Sequence, residues 1–365
     1  MKRILFVLLL CLSAGGAIAS NPRAEEVRNV IFMVGDGMGL AHVSMLQIEN
    51  GYAPTAFDRA QNVALITTRS ANNRVTDSAA AGTALASGSK TDNGTLGQDP
   101  EGHALTSTMT RAMMKGLGTG IVVTCYLQHA TPGAFYAHVA DRGDNMAITR
   151  QLLASNIDVL FGGGRRWLKE ACDEGGSYLD AFARRGYFVA DSLPQTRVVG
   201  KGRVLCCAAD KHLPEAPGRG DFLPRATEKA LELLEANTAG RKRGFMLLVE
   251  GSQIDYAAHA KDADRLLAEL RDFEQAVAAA MDFADRTPGT LVIVTADHET
   301  GGLTIPANKE DFTLSENGLQ YQFSTGGHTG TMVPVYLYGA GADRIAGVLD
   351  NTELGLRIQE LLDLK

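Results

Sequence analysis

Acidic and histidine side chains follow apolar runs of this chain in a pattern typical of a metal site. Glu250 closes the apolar run 245–249, and Asp255 and His259 come just beyond it, four residues apart. Four residues is about one helical turn, so both side chains would lie on the same face of a helix and could bind one metal ion. The run itself has the length and composition of a buried strand.

The same arrangement recurs at two other apolar runs. Residues 291–295 lead into Asp297-His298, and residues 30–34 lead into Asp36. In open α/β sheets, ligands bind outside the carboxyl ends of the strands. Three strands that deliver Asp, Glu and His to one edge therefore predict a site for several metal ions. Neutral imidazole and carboxylate ligands suit zinc, whereas an all-oxygen set suits magnesium.

Ser78 is the candidate nucleophile. It precedes a run of small residues, 79–88, that predicts a helix beginning at or near Ser78. Unpaired backbone N–H groups and the helix dipole would favour a serine alkoxide and a phosphate group there. Asp77 or Ser78 could instead be only a helix N-cap, which is the commoner role of these residue types. The three acidic strand ends favour the nucleophile, because a metal can deprotonate a serine without a histidine partner.

The elements that must position these residues alternate along the chain. Strands are predicted near 30–34, 119–125, 157–160, 245–249 and 291–295, and the clearest helix spans about 260–286. This alternation predicts an α/β fold: a single large domain with a mainly parallel central sheet and helices on both faces. Residues 162–225 are richer in Gly, Pro and charge, which predicts a surface insertion. Within it, Gly162-Gly163-Gly164 is interpreted as a turn, since the GxxxxGK[ST] spacing of a phosphate loop is absent.

The N-terminus predicts export. Lys2 and Arg3 precede an apolar run at 4–12 and small residues that end at Ala19, which is typical of a cleavable signal peptide over 1–19. A catalytic domain over 20–365 would follow, in the periplasm or secreted, with no membrane span after cleavage. Cleavage would take the net charge from −7 to −9, because two of the 35 basic residues leave. An acidic chain without a basic stripe is not expected to bind nucleic acid.

Four cysteines remain after the predicted signal. Cys172 could pair with Cys206 or with Cys207 in an oxidising compartment, and the spacing does not choose between them. Cys125 ends an apolar run and is interpreted as a buried thiol. The absence of a CxxC pair argues against a thiolate zinc site.

Six short blocks of the sequence resemble a known family. The blocks are VGDGMG at 34–39, TDSAA at 76–80, Ala-Thr-Pro at 130–132, EGSQID at 250–255, TADH at 295–298 and GHTG at 327–330. They resemble, in the same order, the signature blocks of alkaline phosphatases. The resemblance extends from about residue 30 to 335, nearly the whole mature chain.

This resemblance implies two zinc ions and one magnesium ion per chain. The implied ligands are Asp255, His259 and His328 for the first zinc, Asp36, Asp297 and His298 for the second, and Asp36, Thr131 and Glu250 for magnesium. The family also implies a hydrolase of small phosphate monoesters that forms a phosphoserine on Ser78 and releases inorganic phosphate and an alcohol. Arg142, eleven residues after Thr131, matches the arginine that binds the phosphate, and a homodimer is implied by analogy.

Two positions depart from the best-studied bacterial enzymes. His129 stands where those have Asp, and Tyr256 stands where they have Lys. Imidazole near the third site would favour a softer ion, so zinc or cobalt could replace magnesium there. Loss of the lysine would weaken phosphate binding and speed product release. Other family members carry His and an aromatic residue at these positions, so activity is still expected.

The remaining histidines lack partners at ligand spacing. His42, His103 and His212 are interpreted as core or solvated residues, whereas His138, close to Arg142 in sequence, could orient the site. Three other kinds of enzyme occur within the same superfamily: phosphomutases, sulfatases, which need a CxPxR block that is absent, and diesterases, which would have a less demanding phosphate clamp than Arg142. An exported protein that sequesters phosphate or zinc is the alternative outside enzymes, and it would not need Ser78.

Overall fold

The computed structural model describes residues 26–306 and 321–364, and the predicted signal peptide over 1–19 lies outside them. The strands are β1 Asn29–Gly35, β2 Asn62–Thr67, β3 Gly118–Tyr126, β4 Val159–Gly163, β5 Tyr187–Ala190, β6 Arg203–Cys207, β7 Phe245–Gly251, β8 Thr290–Thr295, β9 Glu299–Thr300, β10 Leu303–Thr304, β11 Gln322–Phe323, β12 His328–Thr329, β13 Val333–Gly339 and β14 Gly347–Asp350. The helices are α1 Leu40–Glu49, α2 Ser78–Ser87, α3 Thr108–Met114, α4 Ala130–Gly133, α5 Asn145–Ser155, α6 Arg165–Leu168, α7 Tyr178–Arg184, α8 Ala216–Arg219, α9 Phe222–Thr238, α10 Gln253–His259, α11 Ala263–Arg286 and α12 Asn351–Leu361.

Ten of these strands form one central sheet, in the order β14-β2-β13-β8-β1-β7-β3-β4-β6-β5. Strand β13 is antiparallel to both of its neighbours, and every other neighbouring pair is parallel. In consequence β8, β1, β7 and β3 lie side by side with their carboxyl ends at one edge. The mainly parallel sheet of a single α/β domain is confirmed.

The middle of the sheet is the core of the molecule. Every residue of β1, β7 and β8 is buried, as expected for parallel strands that helices cover on both faces. The long helices α9 and α11 pack against each other, and α9 also packs on β3 and β7. Each of these strands reads as a continuous apolar run for this reason. A rigid sheet of this kind can hold polar side chains at its edge in fixed positions.

The long helix predicted at 260–286 is α11, which begins at Ala263 because the Asp262 side chain caps it, accepting a 3.1 Å hydrogen bond from the Arg265 backbone N–H. Residues 162–225 supply β5 and β6, so this stretch forms one edge of the central sheet itself. Gly162 and Gly163 belong to β4, and only Gly164 turns, with φ of 99°. Across the described part of the chain, every helix is too short or too polar to cross a bilayer.

Candidate metal centre

The candidate site lies at the carboxyl ends of β8, β1, β7 and β3. Asp36 directly follows β1, Glu250 is the next-to-last residue of β7, and Asp297 comes two residues after β8. Thr131 lies in α4, a few residues beyond β3. Because these four strands are neighbours and parallel, residues far apart in sequence meet at one edge, as the strand pattern predicts.

Asp255, His259 and His328 form the first cluster. The Nε2 atoms of His259 and His328 are 3.2 Å apart, and they lie 3.2 and 3.6 Å from the two carboxylate oxygens of Asp255. Asp255 and His259 stand on α10, one turn apart, and His328 arrives on β12, which pairs with β9. The structure therefore brings together the three residues that the sequence assigns to one ion.

Both histidines of this cluster are oriented by backbone carbonyl groups. His259 Nδ1 lies 2.7 Å from the Gly326 carbonyl oxygen, and His328 Nδ1 lies 2.9 Å from that of Thr76. A proton on each Nδ1 can be donated to the carbonyl, which leaves the Nε2 lone pair free and pointing into the cluster. This is the arrangement that metal-binding histidines have in proteins.

Asp36, Asp297 and His298 form the second cluster, and Ser78 is beside it. His298 Nε2 lies 3.2 Å from Asp297 Oδ2, 3.6 Å from Asp36 Oδ1 and 3.2 Å from Ser78 Oγ. All four residues are buried. Burial, followed by the charges of Asp297, Asp255 and Glu250, raises the pKa of Asp36 well above its ordinary value. Buried carboxylates this close together repel each other as anions, and a nearby cation would compensate their charge.

Helix α2 places Ser78 at its first residue. Asp77 is the N-cap, and its side chain accepts a hydrogen bond from the Ala80 backbone N–H at 3.0 Å. The helix is built from small residues that allow a close approach to α4: a Cβ atom at Gly82 would lie 3.1 Å from the Cβ of Ala134. Ser78 thus sits where unpaired N–H groups favour an anion.

Glu250, Thr131, His129 and Cys125 surround the third position. Glu250 Oε1, Thr131 Oγ1 and His129 Nδ1 are buried and have no hydrogen-bond partner among the described residues. Cys125 Sγ lies 3.3 Å from Glu250 Oε2. Burial is the main cause that raises the pKa of Glu250 to about 7. Ligand atoms of Cys125, His129 and Glu250 lie within 4.8 Å of one another.

The donor atoms of all three clusters fit metal ions. Asp36 Oδ1 and Asp297 Oδ2 are buried without a hydrogen-bond partner in the described chain, as are the third-site atoms above. Buried polar atoms are normally paired, because an unpaired buried group costs about 1–3 kcal/mol. The unpaired atoms of the second and third clusters are explained if each of these two clusters holds a cation, and in the first cluster the ligand atoms of Asp255, His259 and His328 lie within 4.8 Å of one another. The first two clusters offer carboxylates and imidazoles, which suit zinc.

Arg142 is held between Asp77 and His129. Its Nη1 atom donates to Asp77 Oδ2 at 3.0 Å, and its Nη2 atom lies 3.5 Å from His129 Nε2. Asp77 therefore has two roles, as cap of α2 and as partner of Arg142, and only the first was considered from the sequence. The guanidinium is fixed beside the helix that carries Ser78.

His129 and Tyr256 are in contact next to Arg142. The Tyr256 hydroxyl lies 3.2 Å from His129 Nε2. Burial, then the charges of Arg142 and His212, lowers the pKa of His129 well below its ordinary value. His129 is neutral as a result and can act as a ligand or as a hydrogen-bond partner.

His212 is one of two residues near the site that sequence reasoning missed. Its ring is 5.0 Å from that of Tyr256 and 5.8 Å from that of His129, whereas the sequence placed it in the core or in solvent without partners. It arrives on the loop after β6, and no local sequence signal indicates that this loop reaches His129.

Thr300 is the second missed residue, and it joins the first two clusters. Its hydroxyl donates to Asp255 Oδ1 at 2.5 Å, and His298 Nδ1 lies 3.2 Å from the same hydroxyl oxygen. Thr300 stands in the position opposite His328 in the β9–β12 pair. One side chain therefore orients a residue of each cluster.

The other histidines do not enter the three clusters. His42 is buried, with Nδ1 accepting a 3.1 Å hydrogen bond from the Gly39 backbone N–H, and burial lowers its pKa to about 4. His103 is exposed and pairs with Asp99. His138 Nε2 lies 2.9 Å from the Leu105 carbonyl oxygen, so its ring contacts this loop. Among the described residues it has no hydrogen bond to Arg142, the contact by which it could have oriented the site.

All four cysteines of the described chain are free thiols in the structure, including Cys172, Cys206 and Cys207, for which a pairing was considered. Cys206 and Cys207 are buried neighbours on β6, and the strand packs both against the core. The pairing of Cys172 with Cys206 or Cys207, which an oxidising compartment would permit, is therefore not seen in the structure.

Comparison with known proteins finds the same family as the sequence blocks. A family profile described as alkaline phosphatase matches residues 27–318. Alkaline phosphatase 4 of Bacillus subtilis is 32% identical, over 92% of this chain and 89% of that protein. The structure of alkaline phosphatase from the Antarctic bacterium TAB5 superimposes with a TM-score of 0.86 at 32% identity, covering 93% of this chain and 100% of that one. A TAB5 variant with a histidine replaced by aspartate holds magnesium in its M3 site, and it matches at a TM-score of 0.85 and 31% identity, over 93% of this chain and 99% of that one.

Proposed function

Because the chain belongs to the alkaline phosphatase family and is a metal-dependent phosphomonoesterase, we propose that it hydrolyses small phosphate monoesters through a phosphoserine on Ser78. The observation that carries this proposal is the place of Ser78. Its hydroxyl stands at the first residue of a helix, 3.2 Å from a histidine of the second cluster. A nucleophile, an anion-favouring helix end and cation ligands thus converge on one point.

We assign zinc to the first two clusters and magnesium to the third, where zinc or cobalt could replace it. The zinc ligands are Asp255, His259 and His328 in the first cluster and Asp36, Asp297 and His298 in the second. Asp36, Thr131 and Glu250 are the proposed ligands of the third ion. When bound, the ions would supply positive charge that acidifies a hydroxyl or a water and neutralises the leaving oxygen.

Ser78 performs the covalent step. Its Oγ forms a bond to phosphorus while the bond to the leaving oxygen breaks, so an alcohol departs and a phosphoserine remains. Water then adds to phosphorus, the Oγ–phosphorus bond breaks, and inorganic phosphate is released. The backbone N–H groups at the start of α2 stabilise negative charge in both steps.

Arg142 binds the phosphate during both displacements. Asp77 holds one side of the guanidinium, which leaves further N–H groups free to donate to phosphoryl oxygens. This clamp favours a dianionic monoester over a diester. His129 and Tyr256 lie beside the clamp, and neither supplies the fixed positive charge of a lysine, so phosphate should leave readily.

The covalent route is tested by Ser78→Ala, with Ser87→Ala in the last turn of the same helix as the control. The Ser87 hydroxyl donates to the Thr83 carbonyl oxygen and accepts from the Ser89 backbone N–H, and both partners lie toward the far end of α2 from Ser78. The Ser78 variant should keep its metals by elemental analysis and lose at least ~100-fold in kcat, as expected for loss of a nucleophile. The Ser87 variant should retain activity. Turnover of the Ser78 variant at the wild-type level contradicts the covalent route.

The reaction class is tested by one assay with a chromogenic monoester, a diester and a sulfate ester. We expect the monoester to be turned over fastest, with an alkaline optimum, because Arg142 suits a dianion. Faster hydrolysis of the sulfate or the diester contradicts the proposal. Stoichiometric retention of phosphate without turnover would indicate a sequestering protein.

Export to the periplasm or the medium and assembly as a homodimer are also part of this proposal. Export is supported by the residues at 1–19, with their two basic residues, apolar run and small residues. Detection of the protein in a periplasmic or culture fraction, cleaved after Ala19, tests it. Light scattering of the purified protein tests the dimer.

A further inference from the structure

Cys125 lies at the third position of the site without a role in the proposed mechanism. Its side chain is fully buried, and its Sγ atom lies 3.3 Å from Glu250 Oε2 and 3.4 Å from the Tyr126 carbonyl oxygen. Burial, and then the charge of Glu250, raises the pKa of this thiol well above its ordinary value. A buried thiol next to a buried carboxylate is costly unless the pair shares a proton or a cation.

The sheet register explains why Cys125 reaches Glu250. Strands β3 and β7 are parallel neighbours in which Val123 stands opposite Glu250. Cys125 lies two residues beyond this pair, in a stretch where the pairing of β3 with β4 is irregular, and its Sγ atom comes within 3.3 Å of Glu250 Oε2 there. The backbone N–H of Cys125 donates to Ser252 Oγ at 3.1 Å, which fixes this end of the strand.

His129 completes a set of three donors around this point. Ligand atoms of Cys125, His129 and Glu250 lie within 4.8 Å of one another, and all three residues are buried. A sulfur and a nitrogen bound to one zinc ion are about 3.5 Å apart in tetrahedral geometry, so small side-chain rotations would bring them to an ion. His129 Nδ1, Glu250 Oε1 and Thr131 Oγ1 lack hydrogen-bond partners within the described ranges.

We propose that Cys125 is an additional ligand of the third ion, beside Glu250 and His129, and that this site therefore selects zinc or cobalt in place of the magnesium that the oxygen ligands Asp36, Thr131 and Glu250 alone would favour. This inference rests on the proposed function, since it concerns one of the three sites assigned there. Thiolate and imidazole select softer divalent ions, whereas magnesium takes oxygen ligands and retains its waters. A bound ion removes the thiol proton, which passes to solvent, and the charges of the thiolate and the Glu250 carboxylate balance that of the cation.

The orientation of His129 agrees with this assignment. If Nδ1 binds the ion, the ring proton is on Nε2, which donates to the Tyr256 hydroxyl at 3.2 Å; the 3.5 Å approach of Arg142 Nη2 to the same nitrogen is then a contact between two N–H groups and not a hydrogen bond. The competing explanation gives Cys125 only a hydrogen bond from its thiol to Glu250, with no bond to metal.

Cobalt distinguishes the two explanations. A thiolate bound to Co²⁺ gives a sulfur-to-cobalt charge-transfer band in the near ultraviolet, which oxygen and nitrogen ligands do not give. The full chain is stripped of metal, titrated with Co²⁺ and followed by absorbance and by metal analysis. We expect three cobalt ions per chain and the charge-transfer band. Binding of no more than two cobalt ions, or three ions without the band, overturns the proposal.

Cys125→Ser and Cys206→Ser are the matched variants. Cys206 is an equally buried thiol on β6, away from the three clusters, so its variant should keep the band and the activity. Cys125→Ser retains a small polar side chain and should lose the band, with at least ~10-fold weaker binding of the third ion. A band that persists in Cys125→Ser overturns the proposal, and the wild-type titration decides the matter even if that variant fails to fold.

Monoester hydrolysis by the same samples separates this inference from the proposed function. Activity in wild type without a charge-transfer band overturns the role of Cys125 alone. No monoester hydrolysis in any metal form would overturn the proposed function itself. A preference for added magnesium over zinc and cobalt at the third position also contradicts the Cys125 ligand.

Discussion

One residue, Thr300, contacts ligands of two different clusters. Thr300 donates to Asp255 in the first cluster and contacts His298 in the second, so both ligands depend on one hydroxyl group. Groups that hydrogen-bond to metal ligands fix the ligand geometry, and their loss commonly lowers metal affinity by roughly 10–100-fold. Thr300 should therefore matter for metal binding although it binds no ion.

Thr300→Val removes this hydroxyl and keeps the shape of the side chain. We expect zinc affinity to fall about 10-fold or more, measured by competition with a chelator, because Asp255 and His298 both lose a partner. Thr300→Ser keeps the hydroxyl and should restore most of the affinity. Equal zinc affinity in the valine variant and the wild type would show that this hydroxyl does not orient the ligands.

His328→Ala tests the first cluster. The variant should contain about one zinc ion fewer per chain, because one of three protein ligands is lost, while the apolar sheet preserves the fold. His103→Ala is the control, since His103 is exposed and its ring pairs with Asp99, outside the three clusters. Elemental analysis and circular dichroism of both variants check this. Unchanged zinc content and activity in the His328 variant would exclude His328 from the site.

His129→Asp tests the third position. Aspartate adds a hard, anionic oxygen, so activity should depend more on added magnesium and less on zinc or cobalt. The effect is expected in turnover, because this position supports Ser78 and Glu250 without touching the leaving group. Titrating both proteins with the three ions measures it. Superimposable activity curves for the two proteins would mean that His129 only packs behind Thr131 and does not affect which ion binds. A variant that changes in stability but not in its metal response would lead to the same conclusion.

Residue types at strand ends could be predicted, but contacts between loops could not. Asp36, Asp297 and His298 follow apolar runs, so sheet topology alone brings them together. Thr300 and His212 are common residue types in loops, and their partners lie on other elements. Cys125 was expected to be a buried thiol, and it is buried; its contact with Glu250 depends on the register of β3 against β7.

At the scale of elements, the position of Ser78 depends on how α2 packs. Helix α12 crosses the far end of α2, where Gly355 approaches the backbone: a Cβ atom there would lie 2.6 Å from the Leu85 carbonyl oxygen and 2.9 Å from that of Ala84. A glycine inside a helix normally lowers stability by about 1 kcal/mol relative to alanine. The close approach of two helices explains why glycine is used here.

Gly355→Ala should destabilise the protein, whereas replacing glycine by alanine inside a helix usually stabilises it. We expect it to lower the free energy of unfolding by about 1–3 kcal/mol, because the methyl group overpacks the contact. Displacement of α2 should also lower kcat by moving Ser78. Gly200→Ala, where a Cβ atom meets nothing within 4 Å, is the control. Denaturant unfolding checks both, and a stabilised Gly355 variant would contradict the packing argument.

The strands and helices of this fold could be predicted where a stretch of the sequence has a uniform composition. Apolar runs gave β1, β3, β7 and β8, and an Ala- and Leu-rich stretch gave α11. The secondary structure of residues 162–225 was harder to predict, because consecutive glycines such as Gly162 and Gly163 are typical of a turn. Both lie in β4, and glycine is required at Gly163 because the backbone of another loop comes close: a Cβ atom there would lie 1.8 Å from the Lys211 carbonyl oxygen. Only tertiary packing makes glycine necessary there.

For the whole molecule, bound metals should contribute to stability. Asp36, Asp297 and Glu250 are buried and close together at the centre of the sheet edge, and removing the cations leaves their charges uncompensated. A ligand present at 1,000 times its Kd adds about 4 kcal/mol for each site. Chelation should therefore lower the Tm by about 5 °C or more, and added zinc should restore it. Calorimetry with and without chelator measures this; an unchanged Tm would mean that the ions do not bind the folded chain.

The strand order also determines when the protein can fold during its synthesis. Strand β1 is made first, yet its neighbours in the sheet come much later: Asn29 contacts Phe245 of β7 and Thr290 of β8, which lie 216 and 261 residues further along the chain. Contacts between such distant residues form slowly, because a long loop must close before they are gained. A growing chain that ends before β7 has no partner for its central strand. If the protein is exported as we propose, this delay keeps the chain unfolded for most of its synthesis, in the form that can still be threaded across a membrane.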